Sequence, residues 1–186
     1  MFQALIVTAF PVLFLIVLFG GGVIFRRRNI DMDGKPPIDK TLFVSSKYLI
    51  VILWVAMVIH NWGVNLSFVD VPAPVRLISL GLWVLGFALL FTGRFGLGES
   101  FRIGSPRENT GLKISGLFRF SRNPMYLGVF TTLAAVVINT LNPLILLVAI
   151  YIIAVHHKIV LAEEEYLGKT FGQEYRDYCS RVRRYI

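Results

Sequence analysis

Residues 116–128 read Gly116-Leu-Phe-Arg-Phe-Ser-Arg-Asn-Pro-Met-Tyr-Leu-Gly128, and the fold turns on them. They sit where a polar, basic segment over residues 92–123 gives way to an apolar run. Pro124 has no backbone N–H and favours the first turn of a helix, so a helix is expected to start there. Asn123 then stands at the N-cap, with Arg119 and Arg122 just outside the apolar segment. A capped membrane helix with basic residues at the lipid headgroups accounts for most of the stretch. Whether it does more depends on what the rest of the chain brings to it.

Of the 186 residues, 55% are hydrophobic and 16% charged, and mean hydropathy is +0.67. A soluble domain of this size needs more polar surface, so the composition predicts an all-α integral membrane protein. The net charge of +8 does not indicate nucleic acid, because the basic residues flank apolar runs and form no stripe with interleaved aromatics. No nucleic-acid or protein partner is expected. Cys179 is the single cysteine, which leaves neither an intrachain disulfide nor a cysteine cluster for a metal.

Residues 1–25 are apolar and are followed by Arg26-Arg27-Arg28, the reverse of a signal peptide's order, so they read as a membrane span leading into the cytoplasm. Pro11 is expected to kink this span, and Gly20-Gly21-Gly22 to permit close packing or fraying. Residues 26–46 read as an exposed loop. A second apolar run covers residues 48–68, with Trp62 as an interfacial aromatic and His60, Asn61 and Asn65 as interhelical hydrogen-bond partners. A third covers 75–91. The glycines at 93, 96, 98 and 104 and the arginines at 94, 102 and 107 follow, read as a flexible loop; with no strand before it, it is not a phosphate cradle. Runs at 124–138 and 144–155 are separated only by Asn139-Thr-Leu-Asn-Pro143 and predict a short helical hairpin. The charged, aromatic stretch from Glu163 onward reads as a soluble helical tail.

Five spans with the N-terminus outside leave 18 of the 19 Lys and Arg residues on the cytoplasmic side, with only Arg76 opposite. Apart from Arg76 at the outer edge of the third, no Asp, Glu, Lys or Arg falls inside the spans so drawn, which argues against a transporter or channel component. Residues 1–91 are thus a scaffold with possible lipid access, and 92–186 the catalytic region. The hairpin brings the Arg-Asn-Pro-x-Tyr helix start beside Glu163-Glu164-Glu165. This makes a site for a polar, partly cationic ligand on whose surface Tyr126 could pack.

The pattern Gly116-x-Phe-Arg-x-x-Arg-Asn-Pro-Met-Tyr-x-Gly128 resembles the Arg-His-Pro-x-Tyr signature of the isoprenylcysteine carboxyl methyltransferase and phospholipid methyltransferase group. The likeness continues in Glu163-Glu164-x-x-Leu167, in Phe171-Gly172-x-Glu174-Tyr175-x-x-Tyr178 and in the basic ending Arg181-Val-Arg-Arg-Tyr. It implies an all-helical membrane enzyme that takes S-adenosyl-L-methionine from the cytosol and methylates a lipophilic acceptor arriving from the bilayer. Carried over by motif, the donor contacts are Leu112, Lys113, Phe118, Asn123, Pro124, Met125 and Tyr126, with Glu163 opposite. Arg122, Tyr126, Glu164 and Lys158 are the candidate catalytic residues, and no metal is implied. Asn123 replaces the signature histidine and Phe118 a tyrosine. Ile159 stands where the prenylcysteine enzymes carry an arginine, with Lys158 beside it as the candidate substitute. Glu165 is expected to be solvated, and His156 and His157 to be boundary residues. Phospholipid N-methylation is the alternative within the class, and a sterol-type membrane reductase using NADPH the alternative outside it.

Overall fold

The computed structural model describes residues 1–27, 36–98 and 111–186. Its helices are α1 (Phe2–Arg27), α2 (Lys40–Asn61), α3 (Ala73–Leu97), α4 (Pro124–Thr140) and α5 (Pro143–Arg181), with a 3-10 turn at Gly116–Arg119. There is no strand among the described residues. Four helices, α1, α2, α3 and α5, are long and apolar enough to cross a membrane, so the chain is a multi-pass membrane protein. With 17 residues, α4 is shorter.

Local chemistry moves several of the expected boundaries. α2 starts at Lys40, inside the stretch expected as loop, because Asp39 caps it: its carboxylate accepts from the Thr41 and Leu42 amides at 2.9 and 3.1 Å. Lys47 is therefore two turns inside a membrane helix, which corrects the expectation that the membrane interior carries no Asp, Glu, Lys or Arg. α2 also ends seven residues early, at Asn61, where Gly63 takes a φ of 109°. His60 and Asn65 consequently serve the turn and not another helix. The Leu66 amide donates to His60 Nδ1 (3.1 Å) and the Ser67 amide to Asn65 Oδ1 (2.9 Å). Asn61 does bridge helices, donating to Asn139 Oδ1 at 3.2 Å.

α3 runs on to Leu97, through residues expected as flexible loop. Gly93 and Gly96 are helical there because the chain packs closely against them: a Cβ on Gly93 would sit 2.5 Å from Met125 Cγ, and one on Gly96 3.5 Å from Phe118. Arg94 is buried, with Nη1 donating to the Gly98 carbonyl (3.2 Å). Gly104, Arg102 and Arg107 lie outside the described residues, as do residues 28–35 of the first loop. Gly20, expected at a close contact, has nothing within 4 Å of a built Cβ.

The tightest seam is between α3 and α4. A Cβ on Gly86 would meet the Gly128 carbonyl at 2.9 Å, and one on Gly128 the Gly86 carbonyl at 2.8 Å, so the backbones touch. Around this seam sits one core, in which Phe14 of α1, Trp54 of α2 and Trp83 and Phe87 of α3 stack edge to face or tilted. Buried polar groups are matched across helices. Trp54 Nε1 donates to Thr132 Oγ1 (3.0 Å), Trp83 Nε1 to the Val7 carbonyl (3.3 Å), and Asn139 Nδ2 to Ser79 Oγ (2.6 Å). Dispersion and these bonds hold such a bundle where lipid removes most of the hydrophobic drive.

Leu141, at a φ of 42°, closes α4, and Asn142 opens α5 by accepting from the Leu144 and Ile145 amides, which makes the expected hairpin. α5 breaks at Gly172 (φ 52°, ψ −118°), and the residues after it turn back toward the start of α4. The segment from Glu163 is therefore not a free tail. Tyr175, Tyr178 and Val182 are buried against Leu112, Leu167 and Phe171.

Candidate active site

The start of α4 is organised by its neighbours more than by its own cap. Asn123 occupies the N-cap position, and its carbonyl accepts the Leu127 amide (3.0 Å), but its side chain makes no capping bond. This corrects the capping expectation. The amide instead points across the hairpin, Nδ2 donating to Glu164 Oε1 (3.1 Å) and to the Arg184 carbonyl (3.2 Å). Two bonds from Nδ2, one of them to a carboxylate, hold the side chain across the hairpin and outweigh the single bond that its Oδ1 could accept from a helix-end amide.

Glu164 is the hub. Oε1 also accepts from Arg122 Nε and Nη2 (3.1 and 3.0 Å), and Oε2 from Arg184 Nε (2.9 Å). The Glu164 and Arg122 side chains are only 11% and 12% exposed. Arg122 Nη1 reaches on to the Val182 carbonyl (2.8 Å), and its backbone amide donates to the Arg183 carbonyl (3.0 Å). Residues 182–186 thus form a strap clasped to the α4 start. The Glu164 carboxylate raises the Arg184 guanidinium above the ordinary arginine range. Tyr185 extends the clasp: its ring packs on Phe130, its hydroxyl is 2.8 Å from His157 Nδ1, and burial pushes its phenol up. Tyr178 ties the other side, donating to the Phe118 carbonyl at 2.6 Å.

Glu163 takes no part in this clasp and faces into a cavity of about 660 Å³. Tyr126 donates to its Oε1 (2.9 Å) and fixes the carboxylate. Leu112, Lys113 and Phe118 line the same end of this cavity, with Asn123, Pro124 and Met125 from the α4 start. All eight residues expected at the donor therefore converge on one space. Of the candidate catalytic residues, Arg122, Tyr126 and Glu164 line it, whereas Lys158 is exposed on the far side of α5 and does not. Glu165 is exposed and pairs with Lys169 (2.6 Å). His156, expected at a boundary, is buried in the cavity wall with its ring 5.9 Å from that of Tyr126.

The residues that sequence reasoning left without a role come from the end of α5, from the strap and from α2. Tyr175, Tyr178 and Lys47 line the cavity, and Arg184 completes the Glu164 clasp. The motif spacing of Tyr175 and Tyr178 and the basic ending were the available signals, but nothing local couples Arg184 to a carboxylate twenty residues earlier. The buried Tyr175 hydroxyl has no hydrogen-bond partner of good geometry among the described residues, the neighbouring Cys179 thiol being a weak acceptor. A polar ligand in the cavity would supply that partner.

Apolar walls with a few convergent polar groups are the signature of a small-molecule site. No curated protein matches the chain. The phospholipid methyltransferase family matches it over residues 75–174, more than half its length. The matched region runs from α3 through the α4 start and both carboxylates to Glu174, and stops short of the strap. With this region carrying the convergent site, the chain belongs to the phospholipid methyltransferase family.

Proposed function

We propose that this protein is an integral membrane methyltransferase that transfers a methyl group from S-adenosyl-L-methionine to a lipophilic acceptor, in the manner of the isoprenylcysteine carboxyl O-methyltransferases. The observation that carries the reading is the continuity of one cavity, from Glu163 and Asn123 at one end to lipid-facing residues of α1 and α2 at the other. A charged, water-soluble donor and a lipid acceptor call for a site with two such ends.

The donor supplies an electrophilic methyl group on a sulfonium. Glu163, oriented by Tyr126, accepts hydrogen bonds from ribose hydroxyls or an ammonium. The amides of Met125 and Tyr126, in the first turn of α4, face an anion without intrahelical partners. Leu112, Lys113 and Phe118 wall this end, and the Tyr175 hydroxyl has a donor or acceptor to satisfy. Positioning and exclusion of water are then the residues' main contributions. Glu164 and Arg122, committed to each other and to the strap, are positioning residues in this scheme. A carboxylate acceptor needs no base. An amine acceptor must lose a proton, and His156 in the cavity wall is the group left for that.

The fifth crossing rests on α4. It meets Ser79 of α3 and Asn61 of α2 at one end through Asn139, and Gly93 of α3 at the other through Met125. These contacts support a crossing of α4 alongside α3. Five crossings with the cationic ends inside put the N-terminus outside and the active site in the cytoplasm.

The acceptor class is tested by transfer of labelled methyl to a farnesylcysteine analogue and to phosphatidylethanolamine, the latter kept because the matched family is named for phospholipids. The expected result is labelling of the carboxylate acceptor. Label in the phospholipid amine alone would make the protein an N-methyltransferase.

A further inference from the structure

His156 belongs neither to the donor end of the cavity nor to the Glu164 clasp. It lies two turns before Glu163 on α5, a rise of about 10 Å along the helix, and His156, Ile159 and Glu163 (i, i+3, i+7) all line the cavity. The residue is 4% exposed. Its Nδ1 is 2.9 Å from the Ile152 carbonyl, which can only accept, so Nδ1 carries the proton of the neutral ring. Nε2 then keeps a lone pair, with no hydrogen-bond partner among the described residues. A buried polar atom left in this way is costly unless something that enters the cavity pairs with it. The other polar groups of the wall are committed or offer no lone pair. Tyr126 donates its hydroxyl to Glu163 Oε1 (2.9 Å), Glu164 is held by Arg122 and Arg184, and Lys47 and Lys113 present ammoniums. Facing the imidazole are Lys47 of α2, whose charge acts on it, Tyr126 of α4, with the two rings 5.9 Å apart, and Glu163 farther along α5. α1 and α3 line the cavity with apolar residues only.

From this placement we infer that His156 is the catalytic base for the methyl acceptor, its Nε2 taking the proton of a head group that enters the cavity protonated. This rests on the methyltransferase reading above and adds a step to it. A free carboxylate needs no base, but burial disfavours the charged form, so a carboxyl group carried from the bilayer into this cavity keeps its proton. An ammonium keeps its own because amines are strongly basic. In either case Nε2 accepts the proton, and the freed pair on oxygen or nitrogen bonds to the methyl carbon as the methyl–sulfur bond breaks with its pair going to sulfur. The imidazolium returns its proton to water when the products leave.

The test uses the full chain in detergent micelles, with a farnesylcysteine analogue and phosphatidylethanolamine as acceptors. His156→Gln should lower kcat for methyl transfer by at least about a hundred-fold near neutral pH, the loss that follows removal of a general base, while keeping wild-type affinity for S-adenosylhomocysteine. With the carboxyl acceptor the deficit should shrink as pH rises, because the solution then removes the proton before the head enters. With the amine it should persist to a much higher pH. The acceptor that behaves in this way identifies the head. A second readout needs no turnover. With the histidine nitrogens isotope-labelled for NMR, and His60 and His157 assigned through their Gln variants, the His156 Nε2 of the wild type should appear as a bare ring nitrogen. It should move to the protonated position when an acceptor and S-adenosylhomocysteine are added. The inference is overturned by an unimpaired His156→Gln, by a deficit that no rise in pH relieves, or by an Nε2 signal that neither acceptor moves. Loss of S-adenosylhomocysteine affinity in a folded His156→Gln would also overturn it, by moving His156 to the donor. If the wild type transfers methyl to neither acceptor while the Nε2 signal still moves, the methyltransferase reading falls and the proton-accepting role of His156 stands.

Discussion

Glu164→Ala is expected to release the C-terminal strap and lower methyl transfer by at least about a hundred-fold, the loss that follows when roughly 2.7 kcal/mol of positioning is removed. Glu164 receives Arg122, Asn123 and Arg184 at once, on a side chain only 11% exposed. Without it the Arg122 guanidinium is left nearly buried with carbonyl acceptors but no counter-charge. Removing one partner of a buried pair costs on the order of 3–5 kcal/mol, and the lower end applies because the Arg184 side chain, 36% exposed, can rehydrate. The strap backs the wall that Tyr175 and Tyr178 contribute to the cavity, so stability and activity should fall together. Glu164→Gln keeps the shape and loses the charge, and should fall in between. Trypsin is the structural probe: cleavage after Arg176 and Arg181 should accelerate in Glu164→Ala, and unchanged cleavage with unchanged turnover would mean that the clasp is incidental.

The second large effect is expected from the α3–α4 seam. In Gly128→Val the new Cβ would sit 2.8 Å from the Gly86 carbonyl and 3.0 Å from the Leu90 amide nitrogen, both backbone atoms that no rotamer change can move. The two helices must part. Overpacking of this kind costs about 1–3 kcal/mol, and it also shifts the α4 start that carries Asn123, Pro124 and Tyr126. A displacement of roughly 1 Å at a reacting centre costs on the order of a hundred-fold in rate. Gly81→Val is the control on α3, the helix that Gly128 packs against, since nothing lies within 4 Å of its Cβ. Thermal unfolding and turnover measured on both variants should separate them clearly. Equal tolerance at the two positions would contradict the close approach described here.

The helices were legible because a membrane span is a composition signal: long apolar runs need no partner to be recognised. Their ends were not. Asp39 capping pulled α2 back to Lys40, and helix–helix contact carried α3 through Gly93 and Gly96, residues that in isolation read as loop. That Leu112, Lys113, Phe118, the α4 start and Glu163 line one cavity was legible through a motif whose members lie on one hairpin and the segment just before it, so local chain geometry assembles them. Arg184, Tyr185 and Lys47 were not, because each reaches the site from an element distant in sequence, brought in by the break at Gly172 or by the packing of α2 on α5. Asn123 was placed correctly as the residue before the helix, yet its side chain serves Glu164. A nearby carboxylate decides between two hydrogen bonds that the sequence leaves equivalent. Lys158 shows the reverse case, since it neighbours Ile159 in sequence but points off the cavity.

Titration of S-adenosylhomocysteine into the detergent-purified protein, followed by calorimetry, tests the central claim most directly. Saturable one-site binding by the wild type and no measurable heat from Glu163→Ala are expected, with both proteins unfolding at similar temperatures. Absence of binding to the wild type, or wild-type affinity in Glu163→Ala, would contradict it.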